Sequence, residues 1–129
     1  AAVYVLFPGK WFIPRTIKYV WSHSVPEGTV IRRDRRFPMI VVRSGEAKKG
    51  EWVLEKRNIL DDFKKLFGDE FDSPQNPEAI GFLTDANAVK GKAEADYDQL
   101  IAVSDPAWIP LKPSPTPGPV LGPAPSPKR

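Results

Sequence analysis

The sequence predicts a mainly β, antiparallel fold carrying one amphipathic helix and ending in an extended Pro-rich tail. Three observations carry that expectation. Short segments rich in Val, Ile, Tyr, Phe and Trp recur between turn residues. One stretch, ILDDFKKLF, instead repeats its apolar residues at helical spacing. From Pro106 onward, Pro alternates with Ser, Thr, Ala and Gly, which supports neither ladder nor helix because Pro lacks the amide donor and fixes φ.

In chain order, Ala2–Phe7 (AVYVLF) is too short for a helix and stops at the turn pair Pro8-Gly9, so it reads as a strand. Residues 14–22 (PRTIKYVWS) alternate, with Ile17, Tyr19 and Trp21 on one face and Thr16, Lys18 and Val20 on the other: a half-buried antiparallel strand. Val25-Pro26-Glu27-Gly28 is a turn with Pro second and Gly fourth. Residues 31–37 (IRRDRRF) form the one dense charge run. Four arginines there suit an anion contact, but a Gly-rich phosphate cradle and interleaved aromatics are missing, and the run reads as a solvated loop.

The block 38–68 is the centre of the expected fold. Residues 38–44 (PMIVVRS) are nearly continuously apolar, as a central strand is, and 44–50 is a Gly/Lys-rich loop. Residues 51–56 alternate Trp52 and Leu54 with Val53 and Glu55 and predict a second strand. Asn58 is placed to cap a helix over Ile59–Phe67 whose Ile59, Leu60, Phe63, Leu66 and Phe67 share one stripe. Asp61 and Asp62 in its first turn and Lys64 and Lys65 near its last suit the helix dipole, and Gly68 stands where a left-handed C-terminal residue is common. Beyond a polar loop at 69–78, residues 79–84 (AIGFLT) predict a buried strand and 85–92 a turn region. Residues 93–101 (AEADYDQLI) have a helical composition but a strand period, and they are read as a strand.

The chain of 129 residues divides at one place: a folded domain over 1–105 and a Pro-rich tail over 106–129, which holds nine of the fifteen prolines. Residues 1–108 carry sixteen basic and sixteen acidic side chains, so the net charge of +3 comes from Lys112, Lys128 and Arg129. A neutral body argues against a nucleic-acid platform. The lack of cysteine excludes disulfides, thiolate metal sites and cysteine nucleophiles. No apolar run reaches the ~20 residues of a membrane-spanning helix. Ala1-Ala2 suits a signal-peptidase cleavage end, hence an exported chain.

No catalytic constellation is legible. His23 is the sole histidine, and its neighbours Ser22 and Ser24 face the other way on an extended chain. The acids Asp69, Glu70 and Asp72 lack Ca²⁺-loop spacing, and Glu94, Asp96 and Asp98 share an exposed strand face. Asp85 with Asn87 in a turn is the better-placed ligand or ion site, although Asx residues in turns usually bond their own backbone. Trp11, in the loop after Pro8-Gly9, is the aromatic placed for exposure and for stacking on a glycan. In the tail, Trp108, Ile109, Val120 and Leu121, with Pro115 and Pro117 setting the extended backbone, are candidate partner anchors.

The blocks AAVYVLFP, RTIKYVWS, VPEGTV, MIVVRSG, GEWVLEKRNILDDFKKLFG, IGFLTDAN and AEADYDQL, collinear from Ala2 to Ile101, resemble an uncharacterised bacterial family, domain of unknown function 3047. The resemblance implies an exported antiparallel β-sandwich of the jelly-roll, carbohydrate-binding type, with no enzymatic activity to carry over. It covers the later part of the domain, because relatives usually have further strands before the point where this chain starts. It also marks one departure. Where the family pattern is Thr-Asp-x-Asp-Asn-Thr, this chain has Thr84-Asp85-Ala86-Asn87-Ala88-Val89, which weakens a ligand or ion turn there.

The expectation is therefore a non-enzymatic accessory subunit of a larger protein assembly in an exported, periplasmic or extracellular setting. It docks through the tail and through a free sheet edge at Ala2–Phe7, with Val3 and Val5 as partner contacts. It needs no cofactor or metal and has no nucleic-acid partner and no transmembrane segment. The alternative is an exported carbohydrate-binding module using Trp11, Asp85 and Asn87.

Overall fold

In a computed structural model of the protein, residues 1–71, 76–84, 92, 94–98 and 100–104 are described. They form a mixed five-stranded sheet with one short helix on one face. The strands are β1 (Ala2–Phe7), β2 (Arg15–Ser22), β3 (Val30–Ile31), β4 (Met39–Ser44) and β5 (Ala79–Leu83); the helix α1 is Ile59–Phe67. Their order across the sheet is β3-β4-β2-β1-β5.

β1 pairs antiparallel with β2 and with β5, and β3 antiparallel with β4, but β2 and β4 are parallel. The sheet is thus not antiparallel throughout. No tight turn follows Ser22. The chain instead returns past the far side of β4 as β3 before entering β4, and only such a long connection lets neighbours run the same way. Within that return the turn closes one residue later than the sequence suggests. Thr29 N–H donates to the Pro26 carbonyl at 3.3 Å, with Gly28 at φ 82°, where a side chain would be strained.

Two expected strands are absent among the described residues. Residues 51–56 carry no ladder, because β4 already has β2 on one side and β3 on the other. Trp52 and Leu54 are half exposed, and the segment is held by Glu55, which accepts from Arg43 Nε at 2.7 Å. Residues 94–98 carry no ladder either. Their contact with the sheet is Tyr97, whose ring packs 4.8 Å from that of Phe82 and whose hydroxyl donates to the Leu83 carbonyl at 3.1 Å.

The core lies between α1 and one sheet face. The register sets Val5 beside Ile17 and Val3 beside Tyr19. With Phe7 and Ile40, these residues meet Phe63, Leu66 and Phe67 of the helix, all buried. Phe63 is the centre, its ring 4.5 Å from Phe7 and 5.1 Å from both Phe67 and Phe71. Leu60, the outlying member of the helical stripe, is 40% exposed. Asn58 caps as expected, its side chain accepting from Asp61 N–H at 3.1 Å. Gly68 does not turn left-handed. It stays right-handed at φ −56° and leads into the turn Gly68–Glu70, while Arg32 Nη1 donates to the Leu66 carbonyl at 3.0 Å and satisfies one of the end groups.

A polar pin joins helix to sheet. Tyr19 Oη donates to Asp62 Oδ2 at 2.7 Å, and Arg57 donates to both Asp62 oxygens at 2.7 and 3.1 Å. Burial first, and then the Asp62 carboxylate, push the Tyr19 phenol above its ordinary value of 10.0. A raised pKa means that the folded state prefers the protonated phenol. The stabilisation is therefore complete below pH 10.0 and is lost as pH rises beyond it. In an alkaline absorbance titration Tyr19 is expected to stay silent until the chain unfolds.

Candidate functional site

Among the described residues, no helix lies on the face of the sheet away from α1. Neighbouring strands place Tyr4 and Leu6 of β1, Thr16 and Lys18 of β2 and Met39 of β4 on this side, and Phe37 joins them from the preceding loop. They line an open hollow of about 400 Å³, with the Lys18 ammonium 5.2 Å from the centre of the Tyr4 ring. The apolar surface continues onto β5, because Ala79, Gly81 and Leu83 pair with Leu6, Tyr4 and Ala2 and share their face. β5 is a terminal strand of the sheet, with Ile80, Phe82 and Leu83 exposed.

Val3 and Val5 do not lie at an edge. β1 is bonded on both sides, and Val5 is 2% exposed in the core under the helix. The terminal strands are β3 and β5. Trp11 is exposed as expected, at 88%, but it does not stand alone: Phe12 is 102% exposed and Ile13 is also open to solvent. Asp85, Asn87, Trp108, Ile109, Pro115, Pro117, Val120 and Leu121, and with them the tail, lie outside the described residues.

The loop that carries Trp11 joins β1 to β2. Gly9 is required there by close approach, since a Cβ on it would collide with the carbonyl of Ile13. Trp11 and Phe12 both have positive φ, 58° and 61°, which costs an aromatic residue about 1–2 kcal/mol each. Neither ring gains burial in exchange. Phe12→Gly is therefore expected to raise stability by up to about 1 kcal/mol, net of the chain entropy glycine adds. Gly9→Ala should lower it by roughly 1–3 kcal/mol through the forced collision. Urea unfolding of the two variants reads both signs.

The other sequence candidates are accounted for locally. Ser22 Oγ accepts from the Val25 N–H at 3.0 Å, and exposed His23 faces Glu46 at 3.9 Å. In the arginine run Arg36 holds Asp34, whose carboxyl it draws below the usual range, while Arg33 and Arg35 are exposed. Among the described residues no group of three His, Cys, Asp or Glu is arranged to hold a metal ion, and no helix is long and apolar enough to cross a membrane.

The collinear blocks noted in the sequence find their counterpart in a family model described as protein of unknown function, DUF3047, which matches residues 3–101. The chain belongs to the DUF3047 family. The match takes in β1 from Val3 onward, the other four strands and α1 of this DUF3047 domain, and stops before the Pro-rich residues. No curated protein and no solved structure matches it.

Sequence reasoning missed Phe12, Ile13 and the open-face set. A signal existed for the loop: Trp11, Phe12 and Ile13 stand together between Gly9 and Pro14, an apolar run inside a turn region. For the open face, Tyr4, Leu6 and Met39 look like ordinary core residues until the second layer is seen to be missing among the described residues.

Proposed function

We propose that this DUF3047 domain is a non-catalytic docking subunit of a larger protein assembly. The observation that supports the reading is the side of the sheet on which no helix of the described residues lies, from Met39, Tyr4 and Leu6 across to Leu83 on the terminal strand β5. An apolar sheet face is stable when another layer covers it, and a free edge strand accepts a further strand through its backbone. A second layer closing here would make the sheet one half of a β-sandwich of the jelly-roll kind. The reading keeps the exported setting implied by the family resemblance, and it keeps the Pro-rich tail as an additional tether.

Leu6→Lys and Leu83→Lys place charge on the open face without touching the helix-side core. Each is expected to leave the thermal melt unchanged while releasing the subunits that co-purify with the native chain; removal of residues 106–129 should weaken the same association. Co-purification at native stoichiometry in all three variants, or a native chain that sediments as a monomer from its own extract, overturns the proposal.

A carbohydrate-binding reading rests on one observation, the exposed ring of Trp11. A glycan array with Trp11→Ala as control tests it: signal lost in the variant is the result it requires.

A further inference from the structure

The end of the sheet that carries the aromatic loop is also where the exposed cations gather. β2 and β4 are parallel and both begin there. Thr16 N–H donates to the Arg36 carbonyl at 2.9 Å, which seats the arginine loop beside the start of β2. α1 ends at the same place, because Arg32 reaches the Leu66 carbonyl and Arg15 holds Glu70 at 2.8 Å. Lys10 lies 5.5 Å over the Phe71 ring and ties the loop to this corner. Arg32, Arg35, Lys64 and Lys65 line a polar hollow of about 200 Å³ with Asp69 and Glu70. Two of the local acids are engaged, Asp34 by Arg36 and Glu70 by Arg15. Arg33, Arg35, Lys64 and Lys65 remain exposed at the end of the sheet from which Trp11, Phe12 and Ile13 project.

We propose that this end of the sheet binds the surface of an anionic lipid bilayer. Trp11, Phe12 and Ile13 enter the boundary between headgroups and acyl chains, and Arg33, Arg35, Lys64 and Lys65 meet the lipid phosphates. The shape selects this occupant. Three apolar side chains project from a hairpin tip, and a protein partner would have to supply a walled pocket for all of them. A sugar stacks on one ring and needs polar neighbours for its hydroxyls, which Phe12 and Ile13 do not offer. A fluid bilayer accepts a convex apolar tip; tryptophan is favoured at its boundary, and flanking cations add attraction to anionic headgroups. The left-handed backbone at Trp11 and Phe12 holds both rings away from the chain's own core. None of the side chains assigned to the bilayer lines the hollow of the open sheet face, so the two readings are tested by different substitutions.

The test is binding of the full chain to mixed phosphatidylcholine–phosphatidylglycerol vesicles, with pure phosphatidylcholine vesicles as control and brominated acyl chains to quench tryptophan at the boundary. Binding is expected to the anionic vesicles, to weaken as salt rises, and to quench part of the emission of the four tryptophans. Trp11→Ser and Phe12→Ser should each lower vesicle affinity roughly tenfold or more, with the bromine quenching lost in Trp11→Ser. Arg33→Ser with Arg35→Ser should weaken binding and flatten its salt dependence, whereas Leu6→Lys, on the other surface, should leave it intact. All of these side chains but Leu6 are exposed, and thermal melts confirm that the variants are folded. Three results each overturn the proposal: no binding to anionic vesicles, equal binding to neutral ones, or binding unaffected by Trp11→Ser and Phe12→Ser. Trp11-dependent glycan signal without vesicle binding overturns it in favour of a sugar site.

Discussion

Phe63→Ala is expected to destabilise the domain by about 3–5 kcal/mol, the range for removing a buried aromatic and leaving a cavity. Phe63 is 2% exposed, and its ring meets Phe7, Phe67 and Phe71. It therefore joins β1, α1 and the segment beyond α1 in one core. Small domains hold about 5–15 kcal/mol in total, so the variant should lose a large share of its stability and part of its population at physiological temperature. Urea unfolding followed by far-UV circular dichroism reads the midpoint, and an unchanged slope identifies the loss as stability rather than altered compactness. Phe63→Leu, which keeps most of the volume, should cost less, about 1.5 kcal/mol. Equal, small losses for both would mean that the helix does not close the core.

Asp62→Ala is expected to cost roughly 2–3 kcal/mol. Removing one member of a buried charged pair typically costs about 3–5 kcal/mol because the survivor is left uncompensated. Here the side chain of Asp62 is 11% exposed but that of Arg57 is 38% exposed, so water recovers part of the loss for Arg57. Tyr19 has no such recourse and keeps a buried hydroxyl without its acceptor. A cycle with Tyr19→Phe separates the terms. Once Asp62 is gone, the further Tyr19→Phe change should be close to neutral, giving a coupling of about 1–2 kcal/mol. The pH dependence supplies a second reading. Stability falls above pH 10.0 in the native chain because the unfolded phenol ionises before the folded one, and Tyr19→Phe should make that fall shallower. Additive losses and an unaltered alkaline limb would show that the three side chains do not act as a unit.

The elements were legible to different degrees, for physical reasons that differ residue by residue. α1 was readable end to end, because the Asn58 cap and the spacing of Phe63, Leu66 and Phe67 are local signals. β1, β2, β4 and β5 were readable as strands from their β-branched and aromatic runs. The strand expected at 51–56 failed because alternation reports only what a segment prefers, while a ladder also needs a neighbour; β4 takes β2 on one side and β3, at Met39 and Ile40, on the other. Gly68 failed similarly: Arg32, distant in sequence, serves the helix end that a left-handed glycine would otherwise close.

Composition and spacing alone predicted a mainly β fold with one helix, and they settled that residues 1–108 are charge-neutral and that this chain has no cysteine chemistry. These are properties of local preference and of counting, which need no partner in space. Tertiary structure decided which strands became neighbours, and so put β1 inside the sheet, left β3 and β5 as its terminal strands and made the β2–β4 pair parallel. It also brought the aromatic loop, the arginine loop and the end of α1 to one end of the sheet. Pairing is a contest among all strands for the same backbone groups, and its outcome belongs to no single segment. That is why the surfaces proposed to act here became visible only in the fold.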